Sequence, residues 1–215
     1  MSRKPEARAA LATAPGSRFD VSRAAELEEW LAAVLATPGL SALDDPVRAR
    51  EFLVDDALRA APLLGRFPGP IVDVGSGGGS PGIPLATALP EREVTLLETR
   101  RRKCDFLERW RPPNVRVVCG RAEEQPPESW GVALAKALAK PPVAAEWCLP
   151  LVCVGGAVVL WLGASADLDR LGRVSRLLGG GPPEEHGGLV VLPKIAETPS
   201  RFPRRPGVAK KHPLV

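Results

Sequence analysis

The chain has 215 residues, 45% of them hydrophobic, with 29 Lys and Arg against 25 Asp and Glu and a formal net charge of +4. That composition excludes a disordered chain, and the length suits one sizeable core with a small appendage. The basic excess permits a nucleic-acid partner without requiring one. The longest apolar run, LVCVGGAVVLWL, is too short to span a bilayer. The apolar part of the start, MSRKPEARAALATAPGSRFD, is broken too early for a secretory signal. A cytoplasmic protein without membrane contact is expected. The cysteines are Cys104, Cys119, Cys148 and Cys153; they form no CxxC pair, and the chain has only two histidines. No metal site is expected, and the thiols read as buried and reduced.

In chain order, residues 1–20 read as a loose basic arm. SRAAELEEWLAAVLATPG reads as a helix capped by Ser22, with Leu27, Trp30, Leu31 and Val34 on one face and Pro38-Gly39 at its end. DDPVRAREFLVDDALRAAPLL reads as one second helix, with Pro46 in its first turn. After Pro70 short apolar strands alternate with helices. Strands are predicted at 71–75, 93–98, 115–120, 131–138, 155–163 and 189–195. Helices are predicted at 81–89, 100–110, 142–152 and 166–178, and GGGPPEEHGG reads as a flexible loop. This alternation predicts an α/β fold with a mostly parallel sheet covered on both faces. The organisation is a helical extension over 21–65, a ligand-binding domain over 66–198 and a basic tail over 199–215.

The first strand runs into IVDVGSGGGSPGIPLA. Ligands in such sheets sit beyond the carboxyl ends of the strands, where glycines let main-chain amides come close. A dinucleotide site needs GxGxxG directly after the strand. From Gly75 the third glycine is replaced by Ser80, and the GxGxxG at Gly77, Gly79 and Gly82 starts late and contains Pro81. The other pattern is GxGxG with an acid two residues upstream: Asp73, Gly75, Gly77, Gly79. It resembles the first motif of Rossmann-like methyltransferases, which bind S-adenosylmethionine. Glu98 ends the second strand, where an acid can accept both ribose hydroxyls of an adenosine; a nicotinamide cofactor would use the same acid.

DVGSGGGSPGIPLA, LLETRRRKCDFLERW, GRAEE and the tail TPSRFPRRPGVAKKHPL together resemble the RsmG/GidB family. Those enzymes methylate N7 of a guanine in small-subunit ribosomal RNA. The similarity runs from about residue 40 to the C-terminus. It implies a class I methyltransferase fold, S-adenosylmethionine as cofactor, and small-subunit ribosomal RNA or the subunit itself as partner of a monomer. Gly75 and Ser80 fall at the family's cofactor-loop contacts, and Ala122 and Glu123 where it holds the adenine. Lys136 stands where the family usually has Arg, making it a candidate for the cofactor site and for catalysis. Phe52, before Asp55-Asp56, stands near a position usually held by His.

No cysteine follows a proline, as a pyrimidine-carbon methylation would want, and KPPV lacks the acid or amide and the aromatic used for exocyclic amines. A guanine N7 carries a lone pair and no proton, so orientation without a base suffices. A small-molecule or protein target, a cofactor-binding RNA scaffold without catalysis, and a nicotinamide-dependent oxidoreductase are the competing readings. The tail carries Arg201, Arg204, Arg205, Lys210 and Lys211, with Lys194 just before it, and is expected to bind RNA phosphate.

Overall fold

The computed structural model describes residues 21–163 and 166–215. The arm expected over 1–20 lies outside the described residues, and Ser22, expected to cap the first helix, falls inside it. Helix α1 is Val21–Ala36. Its predicted face is the one that is buried: Leu27, Trp30, Leu31 and Val34 are each at most 5% exposed. Each such side chain contributes about 1.5–3 kcal/mol through burial.

The predicted second helix is not one unbroken rod. Pro46–Arg50, a π-helical turn at Glu51–Asp55 and Asp56–Leu58 run on as helix α2. Asp45 caps its start, its Oδ1 accepting from the amide of Arg48 at 2.7 Å. A separate short helix, α3, follows at Ala61–Leu64. The π-helical turn inserts a residue into the helical ladder and loosens its hydrogen bonding, which leaves carbonyls open to other partners.

The sheet comprises β1 Ile71–Val74, β2 Val94–Glu98, β3 Val115–Cys119, β4 Trp130–Lys136, β5 Val152–Trp161, β6 Glu184–His186 and β7 Leu189–Pro193. Its order is β3-β2-β1-β4-β5-β7-β6. The first five strands are parallel, and β7 runs antiparallel to both β5 and β6. The crossover helices are α4 Gly82–Ala88, α5 Arg101–Trp110, α6 Pro141–Cys148 and α7 Leu168–Leu177. α6 is shorter than expected, giving way to a 3₁₀ turn at Leu149–Leu151. Strand β6 corrects the sequence reading, which placed a flexible loop there. Gly187 and Gly188, at φ 59° and 91°, make the two-residue turn that returns the chain as a hairpin.

One apolar cluster lies between the sheet and the N-terminal helices, where Trp30, Leu31 and Val34 share a core with Ile83, Leu96 and Leu134. The other covers the opposite face, under α6 and α7. The N-terminal helices thus share one core with the sheet. Among the described residues no helix is long and apolar enough to cross a membrane.

Candidate cofactor and RNA site

Strand β1 is central, and the chain leaves it toward β2 on one side and β4 on the other. That reversal opens a crevice at the carboxyl edge, and the glycine loop occupies it. Asp73 lies beneath the loop. It is 1% exposed, and its Oδ2 accepts from the Gly82 amide at 3.1 Å. A Cβ on Gly82 would come within 2.8 Å of that oxygen, so only glycine lets α4 start there. Burial raises the Asp73 carboxyl from 3.8 to about 7, against the opposing pull of the Gly82 amide. Asp73 therefore braces the turn and does not line the cavity above it.

Glu98 ends β2 and is 6% exposed. Its Oε1 accepts from the amides of Thr99 at 2.7 Å and Arg100 at 2.9 Å, and its Oε2 accepts from the Gly77 amide at 3.0 Å. The carboxylate thus joins the tip of β2 to the glycine loop. Gly77 has φ +60°, a conformation that favours glycine.

Above the loop lies a cavity of about 370 Å³, lined by Gly75, Gly77, Trp30, Phe52, Lys103 and Lys136 among others. Its far wall is the N-terminal extension. Trp30 Nε1 donates to the Gly78 carbonyl at 2.9 Å, and Ser80 Oγ donates to the Leu53 carbonyl in the π-helical turn at 2.7 Å. Ser80 lines the cavity as expected and also docks the extension. Gly79 does not line it; a side chain there would run into Ile83 and meet Trp30 Nε1 at 3.1 Å. Ala122 and Glu123 sit apart from this cavity, in a 3₁₀ turn after β3, where Glu123 accepts from the Gly207 amide at 3.4 Å.

Lys136 is the last residue of β4 and reaches the carboxyl edge. Its ammonium does not point freely into the cavity. Nζ lies 2.7 Å from Asp56 Oδ2, donates to the Phe52 carbonyl, and stands 4.2 Å from the centroid of the Phe52 ring. Burial lowers its pKa, with the Asp56 carboxylate pulling the other way. Asp56 is itself held, its Oδ1 2.7 Å from Arg59 Nη1 and its carbonyl accepting from Trp161 Nε1 at 3.1 Å. Sequence reading gave Trp30, Leu53 and Asp56 no part in the site. Their signal was present only as a helical face and an acidic pair.

Two cations expected to meet RNA are occupied elsewhere. Arg204 forms a bidentate pair with the buried Glu146, both distances 2.6 Å, and also donates to the His212 carbonyl. Lys194 is fully buried, donating to the Leu149 carbonyl at 3.0 Å and to Thr198, with Glu128 at 3.4 Å. Arg201, Arg205, Lys210 and Lys211 are exposed, the last two on the short helix α8, Val208–Lys211. The thiols are also not uniformly buried: Cys104 and Cys148 are, whereas Cys153 is half-buried and Cys119 exposed. Among the described residues no group of three or more His, Cys, Asp or Glu is placed to hold a metal ion.

A protein-family model described as rRNA small subunit methyltransferase G (GidB) matches residues 23–172. A protein named ribosomal RNA small subunit methyltransferase G from a Synechococcus species is 36% identical over 88% of this chain and 84% of its own length. One of the same name from Rubrobacter xylanophilus is 40% identical over 75% of this chain and 69% of its own. Among solved structures, a tRNA (m1A58) methyltransferase from Aquifex aeolicus is similar, with a TM-score of 0.51 and 15% identity over 66% of this chain and 69% of that one. At that identity the likeness shows the fold, a Rossmann-like methyltransferase sheet. The glycine loop tied to an acid at the next strand tip, in that sheet and with those relatives, places the chain in the rRNA small subunit methyltransferase G family.

Proposed function

We propose that the protein is an S-adenosylmethionine-dependent methyltransferase of small-subunit ribosomal RNA, with N7 of a guanine as acceptor. The observation that carries the cofactor is the Glu98 carboxylate holding the Gly77 amide at 3.0 Å at the carboxyl edge of the sheet. The residues fit the cofactor. A Cβ on Gly77 would find nothing nearer than the Gly75 carbonyl at 3.8 Å and Lys103 Nζ at 3.9 Å, so the bare glycine keeps a cradle open. Gly75 and Gly77 would bind through the main chain, Glu98 through ribose hydroxyls, and Ala122 with Glu123 at the adenine end. Bound there, the cofactor supplies an electrophilic methyl sulfonium.

The chain's own part is orientation. Apart from Glu98 and Glu123, given above to the cofactor and both outside the cavity lining, the described residues that line the cavity include no carboxylate, imidazole or thiol. A lone-pair nitrogen needs neither a base nor a covalent nucleophile, so such a lining suits N7. Holding acceptor and donor in register can supply about 7–11 kcal/mol of the barrier. Exposed Arg201, Arg205, Lys210 and Lys211 would meet the RNA backbone, and Lys140 of KPPV stands outside the cavity.

Calorimetry tests the cofactor site. The wild type is expected to bind S-adenosylmethionine and not a nicotinamide dinucleotide. Gly77→Val forces a β-branched residue to positive φ and fills the cradle, and its affinity is expected to fall at least 100-fold. Equal binding by both proteins would remove the loop from the site.

A further inference from the structure

The ring of Phe52 is not part of the core. It is 51% exposed, while Val54 of the same π-helical turn is fully buried. It lines the rim of the cavity that contains Gly75 and Gly77. We propose that Phe52 is the stacking face of the target-base subsite, on which a purine extruded from the RNA is laid beside the cofactor. The proposal rests on the ribosomal RNA reading above.

Three features converge on it. The first is location: chemistry on a base requires the base to leave its stack and enter the crevice. In RNA, splayed bases are held by aromatic side chains more than by groove contacts. The second is rigidity. Lys136 holds both the ring and the carbonyl of Phe52, Asp56 holds Lys136, and Arg59 and Trp161 hold Asp56. An exposed phenylalanine anchored by a chain of polar contacts is an oriented surface rather than a loose one. The third is electronic. An ammonium 4.2 Å from the centroid draws π density toward itself, which leaves the rest of the ring a better partner for an electron-rich purine. Lys136 is then a positioning residue, acting through Phe52.

The test uses the full chain, unmethylated small subunits as substrate, and Phe52→Leu and Phe52→Trp as variants. The site is half exposed, so both are expected to fold. Base stacking is worth about 1–3 kcal/mol per base, so Phe52→Leu should lower kcat/KM for the subunit at least five-fold while the calorimetric cofactor affinity stays within two-fold. Phe52→Trp should stay within two-fold on both. A leucine variant as active as wild type would show that no aromatic face is used. A leucine variant that loses cofactor affinity would make the ring a wall of the cofactor cavity. Either result overturns the proposal. A wild type that binds cofactor yet methylates no subunit overturns the ribosomal RNA reading itself, and is told apart because the wild-type control already fails.

Discussion

At the scale of single residues, Asp73 shows how one acid of a sequence motif can have a structural task. Its carboxyl is raised to about 7 because burial penalises the charged form. The folded state therefore holds that proton more tightly than the unfolded state, where the value is near 3.8. The stability this gives is complete below about pH 4 and is lost as the pH rises through about 7. Asp73→Asn keeps an oxygen for the Gly82 amide and has no proton to lose. Thermal melts at pH 5 and pH 8 should show the asparagine variant gaining on wild type at the higher pH, by an amount on the order of a few kcal/mol. Parallel pH profiles for the two proteins would contradict the assignment. The placement of Gly75 and Gly77 after the first strand and of Glu98 at the end of the second was legible in the sequence because a glycine loop and a strand-end acid are local features. The partners of Lys136 were not legible. Asp56 and Phe52 lie far upstream, and only the folded extension brings them to the tip of β4.

At the scale of elements, the tail divides into anchors and free cations. Arg204 is held by Glu146, whose side chain is 1% exposed, and the pair raises the guanidinium pKa. Removing one partner strands the other, and a broken buried pair costs about 3–5 kcal/mol. Arg204→Ala should therefore lose stability on that order in denaturant melts, while Arg204→Ala with Glu146→Ala should recover part of it. Arg201, Arg205, Lys210 and Lys211 have a different signature. Reversing all four charges should leave the melt unchanged and flatten the salt dependence of RNA binding. The slope should fall by roughly 0.7–0.9 for each phosphate that is no longer neutralised. An unchanged slope would take these residues out of the interface. The positive charge of the tail could be counted in the sequence; which cations were already paired could not, because Glu128 and Glu146 come from distant parts of the chain. Strand β6 escaped for a similar reason. Glu184–His186 is polar and does not alternate, and it pairs only because the Gly187-Gly188 turn returns the chain onto β7, with Arg66 fixing Glu184 at 2.9 Å.

At the scale of the whole molecule, the α/β alternation was plain from periodicity, and six of the seven strands lie where apolar runs placed them. What periodicity does not carry is how the extension joins the sheet. Trp30, Leu53 and Phe52 close the cavity from above, and Trp30, Leu31 and Val34 share a core with the sheet, so the cavity is made by both parts. That arrangement puts the glycine loop on the sheet side of the cavity and the Phe52 ring on the helical side. The most direct measurement is transfer of a tritiated methyl group from S-adenosylmethionine to small ribosomal subunits lacking the modification, followed by digestion and identification of the labelled nucleoside. The account predicts label in 7-methylguanosine of the small-subunit RNA. Label in any other nucleoside, or cofactor binding with no transfer, would contradict it.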